Sequence, residues 1–211
     1  MNQLIPALLV HDEKTFRDRV SLMETDFPVL QIDVMDGAFV PNRTWFDVNV
    51  LRRLKTSAKF ELHLMVMDPG RYVEETSDIS SVFRYIWHLE APIDHATQIT
   101  RVHALNKEAG LAISPETPID KLAQYTKSLD EILIMGASPG FSGQKLQPQS
   151  IKRAAEIHSR WPNVPLGFDI NVNSETIPTL LAAGISRFCA AGAIFKAEDP
   201  VAEGKRMQGL L

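Results

Sequence analysis

Apolar residues fall into two alternating kinds of stretch: short near-continuous runs, and longer segments in which they recur every three or four positions. The short runs are too brief for helices and read as strands at 4–10, 29–35, 60–65, 85–89, 110–113, 131–135, 165–169 and 187–190. The longer segments predict helices over 13–23, 48–53, 69–76, 97–109, 119–129, 150–160, 174–183 and 200–211. Ser174 reads as an N-cap ahead of Glu175 and Thr176, Gly184 as a left-handed stop after Ala183, and Gly110 as the stop of the long fourth helix. Strands this apolar, separated by helices, are parallel and covered on the outside. Eight such units predict one domain over 1–211, a single (β/α)8 TIM barrel, although an open doubly wound sheet shares the pattern.

Composition narrows the partners. The 211 residues are 45% hydrophobic, enough for a sizeable core, and no linker or charge block marks a second domain. The formal charge is −4 and basic residues are scattered in pairs such as Arg52-Arg53 and Lys152-Arg153, which argues against nucleic acid or an anionic membrane as partner. The apolar start is short and lacks a basic flank, so neither a signal peptide nor a spanning helix is expected and the protein is placed in the cytoplasm. Cys189, the one cysteine, lies in an apolar run and reads as a core residue rather than a catalytic thiol.

In a barrel the chemistry gathers at the C-terminal ends of the strands. Asp33 lies near the end of the second strand, His63 in the third, and Asp169 ends the seventh. Singly, each has an ordinary reading as a turn former or a hydrogen-bonded core residue. Together, two carboxylates and an imidazole on one rim suit a divalent metal or general acid/base work. Asp36, followed by Gly37, reads as a turn residue. The loop Ser138-Pro139-Gly140-Phe141-Ser142-Gly143-Gln144 could offer backbone N–H groups to an anion, and 191–195 suits the short helix start where barrels hold phosphate.

The run Asp33-Val34-Met35-Asp36-Gly37-Ala38-Phe39-Val40-Pro41-Asn42, then His63-Leu64-Met65, Met135, Pro139-Gly140-Phe141-Ser142-Gly143-Gln144-Lys145 and Ala193-Ile194-Phe195, resembles the ribulose-phosphate 3-epimerase family in order and spacing. The resemblance covers nearly the whole chain. It implies a ribulose-phosphate-binding barrel acting on a sugar phosphate such as D-ribulose 5-phosphate, with Asp33 and Asp169 moving the carbon 3 proton from opposite faces. It further implies a divalent metal, zinc, iron, manganese or magnesium, at Asp33, His63 and Asp169. Met35, Met65 and Met135 match the pocket methionines, and the phosphate contacts fall to Gly140, Phe141, Ser142, Gly143, Ile170, Asn171, Ala191 and Gly192.

Four positions depart from that family. Gln31 stands where it has its other metal histidine, and a neutral amide oxygen serves magnesium, manganese or calcium better than zinc or iron. Val10, expected in the pocket wall, stands where the family has a serine. Ile170-Asn171 replaces two glycines, and Ala191-Gly192 replaces a glycine-serine pair. These changes leave an alternative, a barrel that has kept binding or a regulatory role and lost turnover. The decarboxylase and lyase barrels need a lysine among aspartates near the second or third strand, which Asp33-Val34-Met35-Asp36 does not offer. Pairing of two barrels into a homo-oligomer is left open.

Overall fold

The computed structural model describes residues 2–140 and 147–211. Eight strands close into an all-parallel barrel in chain order: β1 (Gln3–Leu8), β2 (Val29–Met35), β3 (Lys59–Met65), β4 (Val82–His88), β5 (Glu108–Ile113), β6 (Glu131–Met135), β7 (Leu166–Asp169) and β8 (Arg187–Ala190). The expected TIM barrel is therefore the fold. Around it lie α1 (Glu13–Met23), α2 (Val48–Arg53), α3 (Pro69–Thr76), α4 (His95–Ala104), α5 (Pro148–Arg160), α6 (Ile177–Ala182), α7 (Gly192–Phe195) and α8 (Pro200–Gln208). Five helices begin on aspartates, Asp12, Asp47, Asp68, Asp94 and Asp199, whose carboxylates accept the otherwise unpaired N–H groups of the first turn. None of the described helices is long and apolar enough to cross a membrane.

Three expectations about helix ends are corrected. The fourth helix stops at Ala104, because Asn106 turns left-handed (φ 57°) and the N–H groups of Asn106 and Lys107 fold back to the carbonyls of His103 and Val102. Gly110 lies inside β5 instead. The helix expected over 119–129 is a 3-10 turn at Ile119–Leu122 followed by further turns, with successive i to i+3 bonds such as Ala123 N to Asp120 O and Tyr125 N to Leu122 O. Ser174 is not the cap of α6; the Asn173 side chain accepts from the N–H groups of Glu175 and Thr176, in an Asx turn that precedes the helix.

Gly184 is the left-handed stop expected of it (φ 88°). A Cβ there would lie 2.3 Å from the His158 ring, so the position needs glycine for space as well as conformation. Gly184→Ala should cost at least about 1–2 kcal/mol for the conformation alone. A thermal melt is expected to show this as a drop of several degrees, and an unchanged Tm would contradict it.

Period-two alternation splits the core. Residues such as Leu4, Leu8, Leu62, Trp87 and Phe168 face outward and bury against the helices, while Ile5, Ala7, Ile86, Ala112, Leu133, Met135 and Cys189 pack inside the barrel. The N-terminal end of the interior holds charges rather than apolar side chains. Arg84 reaches Glu61 at 2.5 Å, Glu108 at 2.7 Å and Glu131 at 2.9 Å, and Arg187 meets Glu131 at 2.6 Å. Gly167 makes room for this layer, since a Cβ there would stand 2.2 Å from Glu131 Oε1.

Candidate functional site

Parallel register sets Asp33 beside His63 and Met35 beside Met65, while Met135 pairs with Asp169. All of these side chains point into the barrel at its C-terminal end. Asp33, His63 and Asp169 are buried, and their ligand atoms lie within 4.8 Å of one another. His63 Nδ1 is 3.2 Å from Asp33 Oδ1 and 3.3 Å from Asp169 Oδ2. Gln31 Nε2 donates to the same two oxygens, at 2.8 and 3.3 Å.

Electrostatics follow from this crowding. Burial, helped by repulsion from Asp169, raises the Asp33 carboxyl despite opposing hydrogen bonds from His63 and Gln31. Burial opposes charge on His63 as well, but hydrogen bonds to Asp169 and Asp33 outweigh it and push its pKa up to about 9. The two buried carboxylates therefore favour positive charge between them, whether a proton on His63 or a metal ion.

The donor set fits a divalent metal: two carboxylates, one imidazole nitrogen, and in Gln31 Oε1 a buried oxygen with no partner among the described residues. The carboxamide presents its nitrogen to the carboxylates here. A half-turn of the amide would present Oε1 there in its place.

A cavity of about 260 Å³ opens above the cluster, near the lower end of the size range of small-molecule sites. Met35, Met65, Met135, Leu9, Ile170 and Val172 supply its apolar wall, with Asp33 and Asp169 at the floor. Val10 is not part of it. Since Ile5 and Ala7 face inward, the same alternation turns Leu9 into the cavity and Val10 into the outer core. Cys189 touches the cavity but is buried, and burial pushes its thiol well up, away from the reactive thiolate.

Gly140, Ile170, Asn171, Ala191 and Gly192 line the cavity too, whereas Phe141, Ser142 and Gly143 lie outside the described residues. Asn42 donates to the Gly140 carbonyl at 3.1 Å, tying the loop after β2 to the loop after β6. Ile170 (φ 75°) and Asn171 (φ 59°) are consecutive left-handed residues. For a β-branched side chain that conformation costs about 1–3 kcal/mol. Two contacts hold it: Ile170 N–H donates to Asp169 Oδ1 at 2.7 Å, and the side chain packs on the inner apolar cluster. The Ile170 N–H thus serves Asp169 rather than an anion.

Three further residues escaped the sequence reading. Lys196, just past α7, is the one basic side chain among the described residues lining the cavity. His88 and Glu90 extend the cluster: His63 Nε2 is 3.0 Å from His88 Nε2, and His88 Nδ1 is 3.3 Å from Glu90 Oε2. His88 was detectable, since it keeps the inward parity of Arg84 and Ile86 on one strand. Asp36 proves a turn residue, accepting from the N–H groups of Ala38, Phe39 and Met67. Burial pushes its carboxyl up, but these three donors outweigh burial and hold it below the usual range.

The chain matches the model of the ribulose-phosphate 3 epimerase family over residues 3–195. It is 29% identical over 203 residues to the ribulose-phosphate 3-epimerase of Schizosaccharomyces pombe, covering 94% of this chain and 89% of that one. With the enzyme of the same name from Synechocystis sp. it shares 32% over 205 residues, 92% of this chain and 87% of that one. Among solved structures, KGPDC from Streptococcus mutans superposes with a TM-score of 0.73 at 13% identity, covering 100% of this chain and 97% of that one. A 3-hexulose-6-phosphate synthase superposes at 0.70 and 17%, with full coverage of both chains. At such identities these two structures share the fold.

Proposed function

Since the chain belongs to the ribulose-phosphate 3-epimerase family and is a carbohydrate-phosphate epimerase, we propose that it interconverts D-ribulose 5-phosphate and D-xylulose 5-phosphate in the cytoplasm, with Asp33 and Asp169 as the proton-transferring pair. The observation that carries this reading is the convergence of both buried carboxylates on the floor of one apolar cavity. Strands β2 and β7 stand three places apart around the closed barrel, so the carboxylates approach a planar substrate from different sides. One removes the proton at carbon 3 and the other, in its acid form, returns a proton to the opposite face. Burial and the neighbouring Asp169 raise the Asp33 carboxyl above its ordinary range, the direction that favours a group able to take up the substrate proton. The methionine wall keeps water from the carbanion-like intermediate.

Asp33, His63 and Asp169 would hold a divalent metal, with Gln31 Oε1 as a weaker fourth ligand. Bound there, the ion supplies Lewis-acid stabilisation of the negative charge that develops on the substrate oxygens. The phosphate end of the substrate is assigned to the side lined by Asn171, Ala191 and Gly192, where Lys196 adds positive charge.

In deuterated buffer, the carbon 3 proton of D-ribulose 5-phosphate is expected to exchange as xylulose 5-phosphate appears by NMR, with added manganese or magnesium raising the rate. Absence of exchange with every divalent metal would overturn the reading. Gln31→His supplies an imidazole where the amide now stands and should tighten zinc binding by about tenfold or more, 1.4 kcal/mol per decade. A competition titration checks this; unchanged zinc affinity would remove Gln31 from the ligand set.

A further inference from the structure

We propose that His88 and Glu90 are positioning residues for the candidate metal site, keeping a proton on His63 Nε2 so that Nδ1, which faces Asp33 and Asp169, is the nitrogen that gives up its proton to an ion. The proposal rests on the metal reading given above, and adds to it two residues that touch neither substrate nor ion.

Geometry makes the first link specific. The His63 and His88 ring centroids are 5.2 Å apart, their planes 21° from parallel, and their Nε2 atoms 3.0 Å apart. The gap between centroid and nitrogen separations is nearly two ring radii, so both nitrogens lie close to the line joining the rings. The imidazoles therefore meet end to end and almost in plane, as a hydrogen bond between an N–H and a ring lone pair requires.

Which ring donates is decided at the far end. Glu90 Oε1 accepts the Ser114 N–H at 3.0 Å and the Thr117 hydroxyl, leaving Oε2 for His88 Nδ1 at 3.3 Å. A carboxylate only accepts, so the proton of that contact belongs to His88 Nδ1. Although burial works against ionisation of Glu90, the His88 and Thr117 hydrogen bonds hold its pKa down at about 2. His88 is fully buried and gives its Nδ1 proton to the one carboxylate it meets, so the neutral ring is left with a lone pair on Nε2. The proton between the rings must then sit on His63 Nε2. His63 Nδ1, 3.2 and 3.3 Å from the two aspartates, is left as the metal-facing nitrogen. Phe39 lies against His88, with ring centroids 5.0 Å apart, and helps shut water out of the relay. A ligand histidine whose second nitrogen is held in this way is fixed in both ring orientation and tautomer.

The experiment uses protein labelled with 15N-histidine, as wild type, Glu90→Gln and His88→Phe. Ring nitrogen shifts are recorded metal-free at neutral pH and during a Zn2+ titration. Wild type is expected to show His88 protonated on Nδ1, against the ordinary preference of a neutral imidazole for Nε2, and His63 keeping its Nε2 proton throughout while Zn2+ displaces the proton on Nδ1. Glu90→Gln turns an amide donor toward His88 or breaks the Ser114 and Thr117 contacts, so the His88 tautomer should shift and Zn2+ affinity fall by about 10–100-fold. His88→Phe should weaken Zn2+ to a similar degree. An Nε2-protonated His88 in wild type, or wild-type Zn2+ affinity in a folded Glu90→Gln, overturns the proposal. Should wild type itself take up no Zn2+, the metal reading fails alone. The metal-free spectra still decide the relay: a His88 Nδ1 proton lost in Glu90→Gln sustains it, and an unchanged spectrum ends it.

Discussion

Asp169→Asn is expected to lower kcat/KM for epimerisation by about 10²–10⁴-fold, the usual contribution of a positioned acid or base, and Asp33→Asn by a similar factor. The two losses should differ in kind. With one carboxylate gone, the other still faces the carbon 3 proton of one epimer, so solvent exchange should persist from that epimer alone, without conversion. The opposite variant should leave exchange from the other epimer. Both aspartates also stand in the proposed ligand set, so metal content is measured alongside to separate lost ligation from lost proton transfer. Either variant keeping more than about a tenth of wild-type kcat/KM would remove its aspartate from the proton-transferring pair.

Most of the fold was legible because strand and helix periods differ and each run is long enough to tell them apart. The third, fourth and eighth strands, for example, stand within a few residues of their expected positions. Asp33, His63 and Asp169 were legible for a related reason: a polar side chain at the C-terminal end of a barrel strand has few structural excuses. What escaped depends on neighbours the sequence does not order. Leu9 and Val10 differ only in parity, and placing them required knowing that Ile5 and Ala7 face inward. Asn106 stopped a helix that Gly110 was expected to stop, since asparagine reaches the left-handed region almost as readily at a helix end. His88 shares the parity of Arg84 and Ile86, a signal the sequence carries, but its place beside the cluster shows only when register sets Ile86, two positions before it, beside His63. Glu61, Arg84, Glu131 and Arg187 sit in four separate strands, and only closure of the barrel brings them into one charged layer.

That layer carries the largest expected effect on stability. Arg84→Met removes the cation shared by Glu61, Glu108 and Glu131, leaving Glu61 and Glu131 fully buried with Arg187 as the remaining nearby partner. Breaking a buried ion pair from one side costs about 3–5 kcal/mol, which for a chain of this size lowers Tm by roughly 6–20 °C. The pH dependence has a definite sign. Burial and the neighbouring Glu131 push the Glu61 pKa from 4.5 up to about 7 even with both arginines opposing the shift. The folded state therefore binds this proton more tightly than the unfolded chain, and Glu61 lowers stability progressively as pH rises from about 4.5 to 7. Without Arg84 the folded pKa climbs further, so the penalty should be small near pH 5 and grow through pH 8. Adding Glu61→Gln to Arg84→Met removes one stranded carboxylate and should recover a substantial part of the loss at pH 8, but little at pH 5. A deficit equal at both pH values, and untouched by Glu61→Gln, would mean that Arg84 acts through the packing of its aliphatic stem rather than its charge.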